Sequence, residues 1–114
     1  MNTLKMAALT QELVNQYRRQ PKQTPETITG VAAYWPFVEG AEVNGFTGSH
    51  AEGDDDFASR SPEWLSNADL NSLQRWLHSL LRCERWNGEW PTAILNALQV
   101  GQIQALAERL RFYR

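Results

Sequence analysis

The stretch that decides the fold is Ser66–Arg114, SNADLNSLQRWLHSLLRCERWNGEWPTAILNALQVGQIQALAERLRFYR. Leu70, Leu73, Leu77, Leu80 and Leu81 recur in it at steps of three and four, the period that gathers side chains on one face of an α-helix. A face built from five leucines must be buried. Ser66 or Asn67 supplies the N-cap, Asp69 falls in the first turn near the positive end of the helix dipole, and the stripe predicts helix to about Arg85. Asn87-Gly88 closes it. Pro91 opens a second helix with Ile94, Leu95 and Leu98 inward and Gly101 at its end. A third spans about Gln102 to Tyr113 with Ile103, Leu106 and Leu110 inward.

Towards the N-terminus, a helix is expected from Thr3 to about Arg19, with Leu4, Ala8, Leu9, Leu13 and Tyr17 on one face and Pro21 ending the run. Thr24-Pro25-Glu26 has the form of a helix start, and Ile28, Val31, Ala32 and Trp35 follow at helical spacing. Pro36 should break or kink that helix before Phe37, Val38 and Ala41 resume the pattern. Asn44-Gly45 fits either a hairpin turn or a left-handed helix cap with Phe46 folded back. The cap is preferred, because the flanking residues alternate over no more than two positions. Residues 48–61, GSHAEGDDDFASRS, read as a long mobile acidic loop, after which Ser61-Pro62-Glu63-Trp64 starts a short helical turn that returns Trp64 and Leu65 to the core. The expected fold is all-α: a compact single-domain bundle of four to six short helices, with N-terminal helices in 1–47, the acidic loop in 48–61 and a C-terminal helical block in 62–114.

With 114 residues, 42% hydrophobic and 21% charged, the chain has ordinary globular composition and can bury about two-thirds of its unfolded surface in one core. Cys83 is the only cysteine, so no intramolecular disulfide forms, which fits a reducing cytoplasm. No apolar run approaches the ~20 residues of a membrane span, and MNTLKMAALTQEL at the N-terminus reads as helix, not as a signal peptide. A cytoplasmic protein without membrane contact is expected. The net charge of −2 is unevenly spread: residues 51–69 hold Glu52, Asp54, Asp55, Asp56, Glu63 and Asp69 against Arg60, and residues 70–114 hold six arginines against Glu84, Glu89 and Glu108. Such a chain either meets partners of either sign or folds its acidic loop onto its own arginines.

The C-terminal block also resembles a family of short bacterial and mobile-element proteins of unknown function. The residues that carry the likeness are Asn67-Ala68-Asp69-Leu70, Arg82-x-x-Arg85-Trp86, Gly101, and Leu106 followed by Arg109-Leu110. They cover roughly the last 50 residues, with Trp64 matching a family tryptophan upstream. The family usually has Phe where this chain has Trp86, and Gly88-Glu89-Trp90-Pro91 lengthens the step to the glycine. The resemblance implies an α-helical fold and no particular reaction.

Arg82 and Arg85 share a helix face near its C-terminal end. They are either terminal cations favoured by the dipole or a contact for an acidic partner, with Trp86 and Trp90 as flat anchors beside the guanidinium planes. Asp54, Asp55 and Asp56 lack the alternating ligands of a calcium loop, which leaves a solvated loop or an acidic finger for a basic partner. His50 and His78 have no Cys, His or carboxylate at zinc-ligand spacing. Cys83 lies beside arginines that favour a thiolate, with no base positioned by the sequence. No catalytic residue, metal or cofactor is assigned, and no nucleotide-binding or hydrolase motif is present.

The expectation is a non-enzymatic protein-binding module, monomer or homodimer, that contacts a macromolecular protein partner through Arg82, Arg85, Trp86, Trp90, Asp54, Asp55 and Asp56. One compact domain with no catalytic constellation, an acidic loop and an Arg/Trp-rich edge points to a phage or mobile-element inhibitor of a host defence complex as its setting. One alternative is a small nucleic-acid-binding protein that stacks bases on Trp86, Trp90 and Tyr113; a pI near 5.6 and the absence of lysine after Lys22 weigh against it. Another is an enzyme in which Arg82 or Arg85 holds an anionic substrate while Glu84, Glu89 or His78 moves a proton.

Overall fold

The computed structural model describes residues 2–47, 59–86 and 92–113. All regular structure among them is helical: α1 (Thr3–Arg19), a short 3-10 turn (Ile28–Gly30), α2 (Tyr34–Val43), α3 (Pro62–Asn67), α4 (Leu70–Trp86), α5 (Ala93–Val100) and α6 (Gln102–Phe112). The all-α bundle expected from the spacing is therefore present, while the acidic run 48–58 lies outside the described residues.

α1 starts at Asn2, whose side chain accepts from the Lys5 N–H, and ends with Arg18 and Arg19 at the negative end of its dipole. Its limits match expectation, but its inner face is rotated. Met6, Ala7, Thr10, Leu13 and Val14 are buried, and Leu4 and Ala8 are exposed. Thr10 is the reason: its hydroxyl donates to the Met6 carbonyl at 2.7 Å, so a nominally polar residue is satisfied within its own helix and can enter the core.

Residues 24–33 depart furthest from the helix expected there. Thr24 Oγ1 and the Thr24 N–H both bond to the Thr27 hydroxyl, and the Thr24 carbonyl accepts from the N–H groups of Thr27 and Ile28. These local bonds close a turn in place of a continuing helix. α2 begins only at Tyr34, which puts Pro36 in the first turn, where a backbone N–H has no helical partner in any case. Pro36 thus starts the helix it was expected to break. The far end follows the cap reading of Asn44-Gly45: Gly45 has φ +83°, and the Phe46 N–H reaches back to the Ala41 carbonyl at 2.7 Å. Phe46 is fully buried, as the accompanying hydrophobic contact requires.

Ser61 caps α3 by accepting from the Trp64 N–H, and Leu65 is fully buried. Ser66 and Asn67 belong to α3, bonding back to the carbonyls of Pro62 and Glu63, so the cap of α4 is Asp69. Its carboxylate accepts from the Ser72 N–H at 2.7 Å, which holds its titration below the ordinary aspartate range. α4 then buries Leu73, Trp76, Leu77, Leu80 and Leu81, with Trp76 the largest fully buried side chain. α1 packs mainly on α6, α6 also on α3, and α2 on α1. Two contacts set α2 beside α4: Tyr34 Oη donates to Glu84, and Gln74 Nε2 donates to the Gly45 carbonyl. Residue 34 meets 84 and residue 45 meets 74, so the two helices run antiparallel. Among the described residues, no helix is long and apolar enough to cross a membrane.

α5 and α6 meet at Gly101, which has φ +90° and serves both helices. A Cβ there would meet Pro62 Cγ at 3.8 Å, an ordinary contact, so the demand for glycine comes from the backbone alone. Gly101→Ala is expected to lower unfolding stability by about 1–2 kcal/mol without changing the denaturant slope, as read by urea titration.

Candidate functional site

The side of α4 turned away from its leucines carries Arg75, His78, Arg82 and Arg85 at steps of three, four and three. That spacing draws one line about 15 Å long on a helix. Arg82 and Arg85 are exposed, and Arg75 and His78 are partly buried. The only carboxylate in α4 is Glu84, which faces inward, so nothing acidic in this helix interrupts the line. His78 registers the result. Burial holds its imidazole below the ordinary histidine range, and the charges of Arg82 and Arg85 push it lower still. Its Nδ1 is buried without a hydrogen-bond partner.

Glu84 does structural work on the other face. It is 8% exposed; Oε2 accepts from Tyr34 Oη at 3.0 Å and Oε1 from the Ala93 N–H at 2.9 Å. Ala93 is the first residue of α5, whose own N-cap residue Thr92 makes no side-chain capping bond. The carboxylate of one helix therefore caps the next and places negative charge at its positive end. Burial pushes the Glu84 carboxyl above its ordinary range, opposed by the hydrogen bonds from Tyr34, Ala93 and Ile94. Burial, and then the adjacent Glu84 charge, pushes the Tyr34 hydroxyl far above the phenol range. In the enzyme alternative Glu84 was to move a proton beside an anion held by Arg82 or Arg85; the carboxylate instead turns into the core while both arginines stay exposed.

Of the residues proposed from sequence, the structure brings Arg82 and Arg85 together on one exposed face. Trp86 closes α4, but its side chain, together with Trp90, Asp54, Asp55, Asp56 and Glu89, lies outside the described residues. Arg75 and His78 were missed as members of the line, although their spacing to Arg82 is visible in the sequence. Trp35 was not proposed as a site residue: the sequence placed it only at helical spacing with Ile28, Val31 and Ala32, and it is 53% exposed. Its indole stands edge-to-face against the Tyr34 ring, with centroids 5.1 Å apart. Among the described residues no group of three His, Cys, Asp or Glu could hold a metal ion.

The arginine near the chain end has a structural role. Arg109 Nε and Tyr113 Oη both donate to the Ala68 carbonyl, at 2.9 and 2.8 Å, tying α6 to the junction of α3 and α4. The Arg109 guanidinium also lies 4.3 Å from the Phe112 ring centroid. No family model, curated protein or solved structure matches the chain, so the likeness of the C-terminal block rests on its sequence residues alone.

Glu84 yields a pH test. Because its folded-state carboxyl titrates above the ordinary value of 4.5, the folded state holds this proton more tightly than the unfolded state. Its contribution to stability is full below 4.5 and is lost as pH rises through the folded value. Glu84→Gln keeps an acceptor for the Ala93 N–H and removes the titration. The stability of wild type relative to Glu84→Gln is expected to fall as pH rises above 4.5 in urea titrations; a rise would mean that the hydrogen bonds outweigh burial. Glu84→Leu, which orphans both donors, is expected to cost about 2–4 kcal/mol.

Proposed function

We propose that this chain is a non-enzymatic protein-binding module that receives an acidic segment of a partner protein on the outward face of α4. The exposed Arg82–Arg85 pair, with no carboxylate of α4 on its side of the helix, carries the reading. Arg82 and Arg85 are like charges at i, i+3, which repel, and an anion laid against the pair relieves that repulsion. Arginine is also suited to bidentate recognition of carboxylates. An acidic protein segment is favoured over nucleic acid because the line is about one and a half times the length of a Debye screening distance and neighbours a helix that carries Glu39 and Glu42. A polyanion extending beyond α4 would meet those carboxylates. A role as a mobile-element inhibitor of a host defence complex belongs to the same proposal and is supported by the sequence reading alone.

The test is affinity capture from nuclease-treated bacterial lysate with wild-type bait and with an Arg82→Glu/Arg85→Glu double variant of matched thermal stability. A stoichiometric protein is expected with wild type, held about tenfold or more less tightly by the variant and released by moderate salt. Capture that is indifferent to the variant would overturn the assignment of this face.

A further inference from the structure

Protein interfaces draw most of their affinity from a few large side chains, tryptophan and arginine foremost, and the cationic line alone lacks an apolar member. Trp35 supplies one. Tyr34 is 2% exposed, and its hydroxyl is fixed on Glu84, the residue that precedes Arg85. The adjacent Trp35 indole rests edge-on against the Tyr34 ring and leaves about half its surface open. The N-terminal turn of α2 is thereby held level with the C-terminal turn of α4, where Arg85 is exposed one turn from Arg82. The antiparallel course of the two helices carries Glu39 and Glu42 away from this end, towards the Gly45–Gln74 contact. The exposed indole of α2 and the exposed guanidinium of Arg85 on α4 thus each follow directly on one member of the Tyr34–Glu84 hydrogen bond. Because its neighbour in sequence is locked in the core, Trp35 is seated before any ligand arrives, which lowers the entropy lost on binding.

We infer that Trp35 is the apolar anchor of the α4 site, and that the partner segment is acidic with an aromatic or large aliphatic side chain that packs on the open indole while its carboxylates pair with Arg82 and Arg85. This rests on the reading of α4 as the binding face and specifies the chemistry of what binds there. A nucleic acid stacking a base on Trp35 is the competing occupant. It is disfavoured because its backbone charge would continue along α2 past Glu39 and Glu42, whereas a short acidic segment needs only the Arg82–Arg85 end.

The experiment uses the full chain and three fluorescein-labelled probes: a peptide of repeated Glu-Glu-Phe, a peptide of equal length and charge with repeated Glu-Glu-Ser, and an oligothymidylate. Fluorescence anisotropy is expected to show the Phe peptide binding about tenfold more tightly than the Ser peptide. Trp35→Ala should reduce the Phe peptide to the level of the Ser peptide and leave the Ser peptide unchanged. Trp35→Phe should restore part of the preference, and circular dichroism should show both variants folded. Arg82→Glu/Arg85→Glu should weaken both peptides. If the two peptides bind wild type equally, or if the preference survives Trp35→Ala, the anchor is wrong while the α4 face stands. If neither peptide binds, both readings fall. Tighter binding of oligothymidylate than of either peptide, weakened by Trp35→Ala, would overturn the acidic segment in favour of single-stranded nucleic acid.

Discussion

The carboxylate of Glu84 is the constraint on which the arrangement depends. A buried charge is costly unless donors surround it, and its donors come from different helices: the Tyr34 hydroxyl on α2 and the N–H groups of Ala93 and Ile94 at the start of α5. Removing the acceptor would leave a buried hydroxyl and an uncapped helix start, so the three helices are held to one mutual placement. An apolar residue at this position would pack against its neighbours over a range of offsets, because apolar burial is non-directional. A carboxylate with two bonded oxygens admits far fewer. The relative level of α2 and α4, on which the composition of the exposed face rests, is set by this bond together with the one from Gln74 to the Gly45 carbonyl.

Given that level, the two faces of α4 follow from its period. Leu73, Trp76, Leu77, Leu80 and Leu81 take the inner side, and Glu84 continues their line. The opposite side is left to Arg75, His78, Arg82 and Arg85. A solvent face with no task beyond solubility is served by mixed charges, which gain from i, i+4 pairing. This one gathers three arginines, and His78 among them is held below its ordinary range first by burial and then by the charges of Arg82 and Arg85. Arg82 and Arg85 lie in the last turns of α4, where the helix dipole favours cations.

How much of this was legible in the sequence varied with the physics of each segment. The existence and inner faces of α4, α5 and α6 followed from apolar spacing and Gly101; α1 and α6 were placed to within a residue, while α4 and α5 begin two or three residues later than expected. The Asn44-Gly45 cap was preferred to a hairpin turn because the flanking residues do not alternate, and the positive φ of Gly45 and the buried Phe46 agree with the cap. Misreadings arose where side chains bond to nearby backbone: Thr10 entering the core, Thr24 and Thr27 closing a turn, and Asp69 in place of Asn67 as the cap of α4. In each case a short polar side chain satisfied a local group, which hydrophobic periodicity does not register. For the site, the Arg82–Arg85 pair was evident and its extension to Arg75 was available from the same spacing. The inward turn of Glu84 had a signal too, a glutamate in register with a leucine stripe, but its partner Tyr34 lies fifty residues away and no local pattern points to it.

That long-range bond also explains why an anchor should lie where it does. Two pairs of consecutive residues divide their work in the same way. Tyr34 and Glu84 turn inward and bond to each other; Trp35 and Arg85, their immediate successors, remain exposed. A helix rotates by about 100° per residue, so the successor of a buried residue is carried towards the flank, and bonding the buried members brings the exposed ones to a common level. Burial of a polar pair thus fixes the position of a surface pair without contact between its members. The net charge of −2 says little about such a surface, because what a partner meets is the local sign at one end of two helices beside an indole already held in place. The stability of the core and the chemistry of the exposed face are in this way consequences of one placement.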